Sequence, residues 1–269
     1  RGRDDGQGDR PMTSRIHPTV LVDPSASIDD DVEIGPFGIV GPNVSIGRGS
    51  RIAARVTLER NSRIGERVRV GTGTVIGGAP QDLKYRDEET WVEIGDGTQI
   101  RECVTINRGT VASGLTSVGR DCFIMTYVHF AHDCRVGDGV IVANGTQLAG
   151  HVTIQDYAVI SGLVAVHQFV IIGEYSFVGG MTRVSQDIPP FVKAVGNPCE
   201  LYGLNTIGLV RHGFPPETIA TLKRAYRLFF NSDFNVGQAL ERARTDLPVT
   251  PEVERFLEFV SSSQRGVPA

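Results

Sequence analysis

The sequence predicts a mainly β chain wound as a parallel β-helix of hexapeptide repeats, followed by a small α-helical C-terminal domain. Three observations carry this. Aliphatic residues recur at every sixth position over most of the chain. Aromatic residues make up only 7% of the 269 residues while glycine reaches 32, so the core is thin and filled by Val, Ile and Leu. The six-residue period then stops near "SQDIPPF" and helical patterns replace it. Bulk charge narrows the partners: 27 basic against 31 acidic residues give a net charge of −4, which favours neither nucleic acid nor an anionic membrane surface. No apolar run approaches the roughly 20 residues that span a bilayer, so no stable membrane insertion is expected. Four cysteines (Cys103, Cys122, Cys134 and Cys199) form no CxxC pair or disulfide framework. With no secretory pattern visible, a reducing cytoplasm is expected.

Taken in order, residues 1–13 are charged and Gly-rich and are expected to be disordered, with Met12 a candidate start. Residues 14–195 form the β-helix. Its anchors run without a miss from Ile16 through Val22, Ile28 and Ile34 to Ile76, resume at Ile94, Ile100 and Ile106, and run again from Val118 to Val184. A glycine often follows the anchor, as at Gly35, Gly41 and Gly47, and a small or β-branched residue sits four after it, as at Val32, Val44 and Val56. A period of six fits neither an amphipathic helix nor a long alternating strand. It is the period of short strands laid on the flat faces of a coil. Two stretches break the pattern, 78–92 ("GAPQDLKYRDEETWV") and 107–117 ("NRGTVASGLTS"), and both read as loops thrown out from the coil. Residues 196–269 form the helical domain. "KAVGNPCELYGLN" reads as a linker with turn signals. "PPETIATLKRAYRLFF" has Pro at a helix start and Ile219, Leu222, Ala225, Tyr226 and Phe229 on one stripe. "NVGQALERARTDL" and "TPEVERFLEFVSSS" read as two more amphipathic helices.

If three hexapeptides make one coil, residues eighteen apart stack about 4.8 Å from one another. His132 then shares a column with Gly150 and Gln168. The hexapeptides beginning at Phe130, Leu148 and Val166 contain His132, His151 and His167, and His129 closes the preceding one. Four of the six histidines thus gather on one edge. Three readings stand side by side. Histidines at coil corners can simply face solvent. They can bind zinc, as in hexapeptide carbonic anhydrases. Or His132 can act as a general base, its imidazole taking a proton from a hydroxyl that attacks an acyl carbonyl. In that reading the Gly150 backbone N–H meets the developing oxyanion and Asp133 fixes the imidazole tautomer. Successive strand residues face opposite ways, so a His132–Asp133 contact needs a bend between them.

The motifs "GAPQDLKY" (78–85), "NRGT" (107–110), "HFAHDC" (129–134), "LAGHV" (148–152), "AVHQF" (165–169), "GNP" (196–198) and "GLN" (203–205), with the helical tail, resemble the UDP-N-acetylglucosamine O-acyltransferase family over nearly the whole chain after Met12. The resemblance implies a left-handed, three-sided coil and a homotrimer with its active site between adjacent prisms. It implies transfer of an (R)-3-hydroxyacyl chain from the phosphopantetheine of acyl carrier protein to the 3-hydroxyl of UDP-N-acetylglucosamine, the first step of lipid A synthesis. No metal and no other cofactor is implied. His132 matches the family's general base, Asp133 its orienting carboxylate and Gly150 its oxyanion N–H. His129, His151, His167 and Gln168 match positions lining the sugar-nucleotide or acyl site. Asp82 and Lys84 match residues that reach the sugar nucleotide, and Asn205 and Arg211 match nucleotide-side contacts. Met125 and His129 fit members that use the 3-hydroxyl sugar, while the related N-acyltransferase of the same pathway remains an alternative beside the zinc enzyme. Gly180 matches the position that limits acyl length, and Phe177 and Met181 lie nearby. Lys223, Arg224 and Arg227 are candidates for a basic patch facing the acidic carrier protein, or form a solvated helix face. The tail departs from the family's pattern in "NTIGLVRHGF", where Ile207 replaces an acid and His212 a second Arg.

Overall fold

The computed structural model describes residues 13–248 and 250–268. The expectation of a disordered N-terminal prefix falls, for residues 1–12, outside the described residues. From Arg15 the chain winds as a left-handed parallel β-helix of triangular section. Strands of mostly two residues build three faces of eleven, nine and eight strands among the described residues. The chain visits the faces in turn: Arg15–Ile16 opens the first, Leu21–Val22 the second and Ser27–Ile28 the third. Away from the two loops and the last turn, strands pair in parallel with the one eighteen residues later, as in Arg15 with Glu33, Leu21 with Ile39 and Ser27 with Ser45.

Side-chain alternation on these short strands explains the six-residue period. The anchor points inward and its predecessor outward, as with buried Phe130 after half-buried His129. Anchors from Ile34 onward are buried, and so are the small residues four after them, such as Val44 and Val56. The first two anchors are not: Ile16 is 41% and Val22 40% exposed, because among the described residues no coil packs beneath the opening turn.

The corners impose a second rule. The residue three after an anchor adopts a left-handed backbone at corner after corner, for example Asn43 (φ 56°), Asp133 (φ 61°), His151 (φ 61°) and Leu163 (φ 59°). For a non-glycine residue this costs roughly 1–2 kcal/mol. The N–H of that residue is aimed at the coil before it, so that Asn61, His151 and Leu163 donate to the carbonyls of Pro42, His132 and Asn144 at 3.0, 3.0 and 2.9 Å. The bond to the neighbouring coil offsets the strain.

Both loops are shorter than the broken pattern suggested, since strand pairing runs into their ends. Gly78 pairs with Asn107 and Trp91 with Leu115, which leaves residues 79–90 and 108–114 unpaired. The pairing offset grows from eighteen to thirty across the first loop (Val75 with Thr105) and to twenty-four across the second (Thr105 with His129).

The linker expected at 193–205 is instead a β-hairpin. Val192–Val195 joins the first face beside Phe177–Val178, and Glu200–Leu204 returns antiparallel to it. Four helices follow: α1 (Thr206–Arg211), α2 (Pro216–Phe230), α3 (Val236–Asp246) and α4 (Pro251–Ser262). The short α1 was not apparent in the sequence pattern. Helix α2 buries Ile219, Leu222, Ala225 and Tyr226 of the expected stripe, while Phe229, its last member, is half-buried. The Tyr226 hydroxyl donates to the Leu201 carbonyl (3.1 Å) and accepts from the Gly203 N–H (3.0 Å), fixing the helix to the hairpin. Asn235 caps α3 in a capping box with Gln238, and Thr250 caps α4. Beyond α4 the chain returns to the last coil, where the Asp187 N–H donates to Gly266 (2.9 Å) and the Ser263 hydroxyl to the Asp187 carboxylate (2.7 Å). No helix of the described residues is long and apolar enough to cross a membrane.

Phe130 is the largest side chain sealed inside the coil that carries His132. Truncating it to Ala is expected to cost about 3–5 kcal/mol, read as a lowered denaturation midpoint; a loss under about 1 kcal/mol would mean the coil collapses freely around the gap.

Candidate active site

The corner between the second and third faces brings together His132, Asp133, Gly150 and His151. Strand His129–Phe130 leads into it on one coil and Gln147–Leu148 on the next, paired eighteen residues apart. The bend that the His132–Asp133 contact requires is present, because Asp133 is the left-handed corner residue of its coil. The turn lets the carboxylate fold back, and His132 Nδ1 lies 2.7 Å from Asp133 Oδ2.

Gly150 stands directly against the imidazole. A methyl at its Cα would lie 2.7 Å from Cε1 and 2.9 Å from Nε2 of His132. Only glycine leaves room for the ring, and among the described residues no acceptor takes the Gly150 N–H. With Nδ1 held by the carboxylate, the proton sits on Nδ1 and Nε2 is left as the basic nitrogen beside that free N–H.

The Asp133 side chain is completely buried. It accepts from the Thr110 N–H (3.0 Å) and the Ser113 hydroxyl on Oδ1, and from the Thr110 hydroxyl (2.7 Å) and His132 (2.7 Å) on Oδ2. Four donors fill the lone-pair positions of an ionised carboxylate. Burial is the largest single influence and pushes the carboxyl up. The bonds from Ser113, His132 and Thr110 together outweigh it and hold Asp133 below the usual carboxylate range. The stability these bonds contribute is present above that range and is lost as pH falls through the lowered value.

His151 completes the corner. Its ring meets His132 edge-on at 5.2 Å, stacks on Phe169 at 4.5 Å and places Nε2 3.6 Å from Asp133 Oδ2. His132, Asp133 and His151 present ligand atoms within 4.8 Å of one another, the spacing a metal would need. The donor chemistry fits a metal poorly. The carboxylate has no lone pair to spare, and His132 Nδ1 points at Asp133 instead of at a shared centre.

The other expected residues spread outward. His129 sits on the second face with Nδ1 2.7 Å from the Thr105 hydroxyl, and burial pushes its imidazole below the usual range, favouring the neutral form. His167 and Gln168 are exposed on the coil above, with the His167 ring tied to the Gln168 carbonyl (3.1 Å). Met125 and Gly180 lie at the opposite edge of the second face, next to the corner residues Tyr127 and Met181. A side chain at Gly180 would come no closer than 3.4 Å to the Gly162 carbonyl, so that edge is open. Asp82 and Lys84 ride the first loop, where Asp82 accepts from the Lys84 N–H (2.9 Å) and the Lys84 side chain is exposed. Arg60 grips Asp87 and Arg108 bonds the Tyr85 hydroxyl (3.0 Å), bracing this loop.

Asn205 and Arg211 are not brought to the histidine corner. Asn205 is the cap of α1: its oxygen accepts from Gly208 N–H and its amide donates to the Tyr175 carbonyl (3.0 Å). Arg211 ends α1, exposed, and the neighbouring His212 packs against Tyr157 and Tyr175 at 5.2 and 5.1 Å. Sequence reasoning passed over Thr110, Ser113 and Phe169. A corrected offset of twenty-four across the second loop would have set Thr110 next to the residue beneath Asp133.

A hexapeptide coil with a carboxylate-oriented imidazole beside a bare backbone N–H defines a class, the acyltransferases built on this repeat. Comparison with known proteins narrows it. Residues 116–150 match the bacterial transferase hexapeptide model of six repeats, and residues 187–268 match the second domain of UDP-N-acetylglucosamine O-acyltransferase. The acyl-(acyl-carrier-protein)–UDP-N-acetylglucosamine O-acyltransferase of Burkholderia orbicola is 49% identical over 263 residues, and that of Burkholderia mallei 51% over 259, each match covering 94% of this chain and 99% of the relative. The UDP-N-acetylglucosamine acyltransferase structure from Bacteroides fragilis superposes with a TM-score of 0.93 at 43% identity, covering 94% of this chain and 99% of that one. The Francisella novicida enzyme gives 0.89 at 37%, covering 94% and 93%. The chain belongs to the UDP-N-acetylglucosamine O-acyltransferase family.

Because the ring fills the space beside Gly150, a Gly150→Ala variant is expected to fold, keep its circular dichroism and displace His132. Displacement of about 1 Å costs on the order of 100-fold in kcat. Wild-type turnover in that variant would mean the imidazole does not work from this position.

Proposed function

We propose that the protein transfers an (R)-3-hydroxyacyl group from the phosphopantetheine thiol of acyl carrier protein to the 3-hydroxyl of UDP-N-acetylglucosamine, opening lipid A synthesis, with His132 as general base. The observation that carries this reading is the bare Nε2 of His132 beside the free N–H of Gly150, braced by a saturated carboxylate. Nε2 removes the proton of the sugar hydroxyl as its oxygen attacks the thioester carbonyl. The new C–O bond forms, and the carbonyl oxygen gathers negative charge within reach of the Gly150 N–H. The C–S bond then breaks, and the imidazolium returns its proton to the departing sulfur. Asp133 stays ionised throughout and stabilises the imidazolium. No step calls on a metal or a resident cofactor.

The second face sets the substrate's lie in this reading. His129 and His151 flank the sugar, His167 and Gln168 line the way out, and the acyl chain runs toward the edge that carries Met125 and Gly180. Asn205 and Arg211 stand away from the histidine corner of their own chain, and Asp82 and Lys84 ride a loop thrown out from that corner on a lower coil. A homotrimer answers this, with the first loop of one prism reaching the corner of the next. Leu83 at the tip of that loop is 97% exposed, as a side chain waiting for a neighbouring surface would be. The enzyme is placed in the cytoplasm, where its acyl donor and sugar nucleotide would be met.

The test is direct. Purified protein is given UDP-N-acetylglucosamine and a panel of 3-hydroxyacyl carrier proteins, and the product is identified by mass. Transfer to the sugar is expected, with long donors accepted if the open edge at Gly180 governs length, and a sharp preference for the shortest donor would refute the open edge. His132→Ala is expected to lower kcat by roughly 100-fold or more; an unchanged rate would overturn its role as base. Asp133 is held below the usual carboxylate range and so stays ionised beside the imidazole. A general base must be unprotonated to act, so the wild-type rate is expected to fall on the acid side of its profile, measured as kcat/KM against pH.

A further inference from the structure

The loop between Asn107 and Leu115 does more than leave the coil and return. It folds over Asp133 and supplies most of what the carboxylate touches. The Thr110 N–H and hydroxyl each donate to it, the Ser113 hydroxyl donates to it, and the Thr116 hydroxyl just beyond the loop accepts from the Asp133 N–H at 2.8 Å.

The hydroxyl protons have little choice of direction. Thr110 Oγ1 accepts from the Ala112 N–H at 3.2 Å, which orients its lone pairs toward the loop and its proton toward Asp133 Oδ2. Ser113 Oγ accepts from the Leu115 N–H at 3.4 Å and lies against both the Leu115 carbonyl (2.9 Å) and Asp133 Oδ1. It carries one proton for two acceptors, and the closer, ionised one takes it. Two amides of the loop thus aim two hydroxyls, and the hydroxyls pin both oxygens of one carboxylate. With its other lone pairs filled, Asp133 keeps a single position for His132 Nδ1–H. The carboxylate cannot rotate to offer a different oxygen, and the imidazole cannot flip without leaving a buried acceptor unpaired.

From this we infer that Thr110 and Ser113 are positioning residues for the transfer: they act through Asp133 to lock the tautomer and orientation of His132, which makes the 108–114 loop part of the catalytic apparatus. The inference rests on the general-base reading of His132 given above. It goes beyond it by assigning the cradle to residues that touch no substrate.

The test uses the full-length protein, with steady-state kinetics and 15N spectra of the labelled histidine rings, which report which ring nitrogen carries the proton. Wild-type protein is expected to show His132 protonated on Nδ1 and bare at Nε2. In Ser113→Ala, and more strongly with Thr110→Val added, that pattern becomes a mixture of tautomers. The kcat falls about tenfold, part of the ~10⁴ that a wrong tautomer costs a Ser-His-Asp site, while KM for the sugar nucleotide stays within about twofold. Thr110→Ser keeps the hydroxyl and is expected to restore both the spectrum and the rate. If Ser113→Ala lowers the melting temperature yet keeps a single Nδ1–H tautomer and a kcat within twofold of wild type, the cradle is only structural and the inference is wrong. If wild-type protein holds the tautomer but transfers no acyl group, the cradle stands as geometry and it is the acyltransferase reading that fails. Should the double variant not fold, Ser113→Ala and Thr110→Ser alone decide.

Discussion

The structure depends on one constraint, the hydrogen-bond ladder that joins each coil to the next, at an offset of eighteen over most of the coil. Residues His129 and Gln147, then Gln147 and Ala165, face each other eighteen apart. Once that offset is set, the inward stack of Ile, Val and Leu is set with it, because a slip of one residue would turn every anchor outward. The same ladder fixes the chemistry. His132 and Gly150 meet because they are eighteen apart, and the left-handed corner at Asp133 exists because its position three after Phe130 recurs on every coil. The histidine corner is an ordinary corner of the fold whose side chains happen to be an imidazole, a carboxylate and a hydrogen atom.

A fully buried carboxylate needs a reason to remain ionised. The cost of removing its charge from water is met here by a complete set of donors. The same completeness gives the site its character. A carboxylate with vacant lone pairs would offer itself to a metal or to solvent, and its neighbouring imidazole would be free to choose partners. With three donors supplied by the loop, Asp133 has one lone pair left, which the Nδ1 proton of His132 takes. Acid–base chemistry and metal binding are alternatives at such a corner, and under the proposed function the hydroxyls of the 108–114 loop favour the first.

How much of this was legible beforehand follows from the same arithmetic. The coil, its anchors, the histidine edge and the apposition of His132 with Gly150 could be read from sequence, because between Phe123 and Val184 the offset never leaves eighteen. The stripe on α2 was legible for the equally local reason that 3.6-residue periodicity needs no partner. Thr110 and Ser113 were hidden because the loop that carries them shifts the offset to twenty-four, so that position counting sets the wrong residues beneath Asp133. The hairpin at Val192–Leu204 was hidden by its Gly, Asn and Pro, which mark a turn but do not say that two strands flank it. Asn205 shows a different limit. A motif can place a residue in a family's pattern without saying what its side chain touches, and here both ends of the amide are spent inside the chain.

The departure at His212 follows from what surrounds it. Its ring lies against Tyr157 and Tyr175, themselves stacked at 5.0 Å, and Tyr175 continues into Phe191 and Phe214. Tyr157, Tyr175 and Phe191 are all left-handed corner residues, stacked one coil above another by the ladder. A guanidinium at 212 could stack on such a column, but its donors would then need acceptors at the rim. A flat imidazole packs edge-on against Tyr175 and tilted against Tyr157, with fewer polar hydrogens to satisfy, at the place where the helical domain grips the prism.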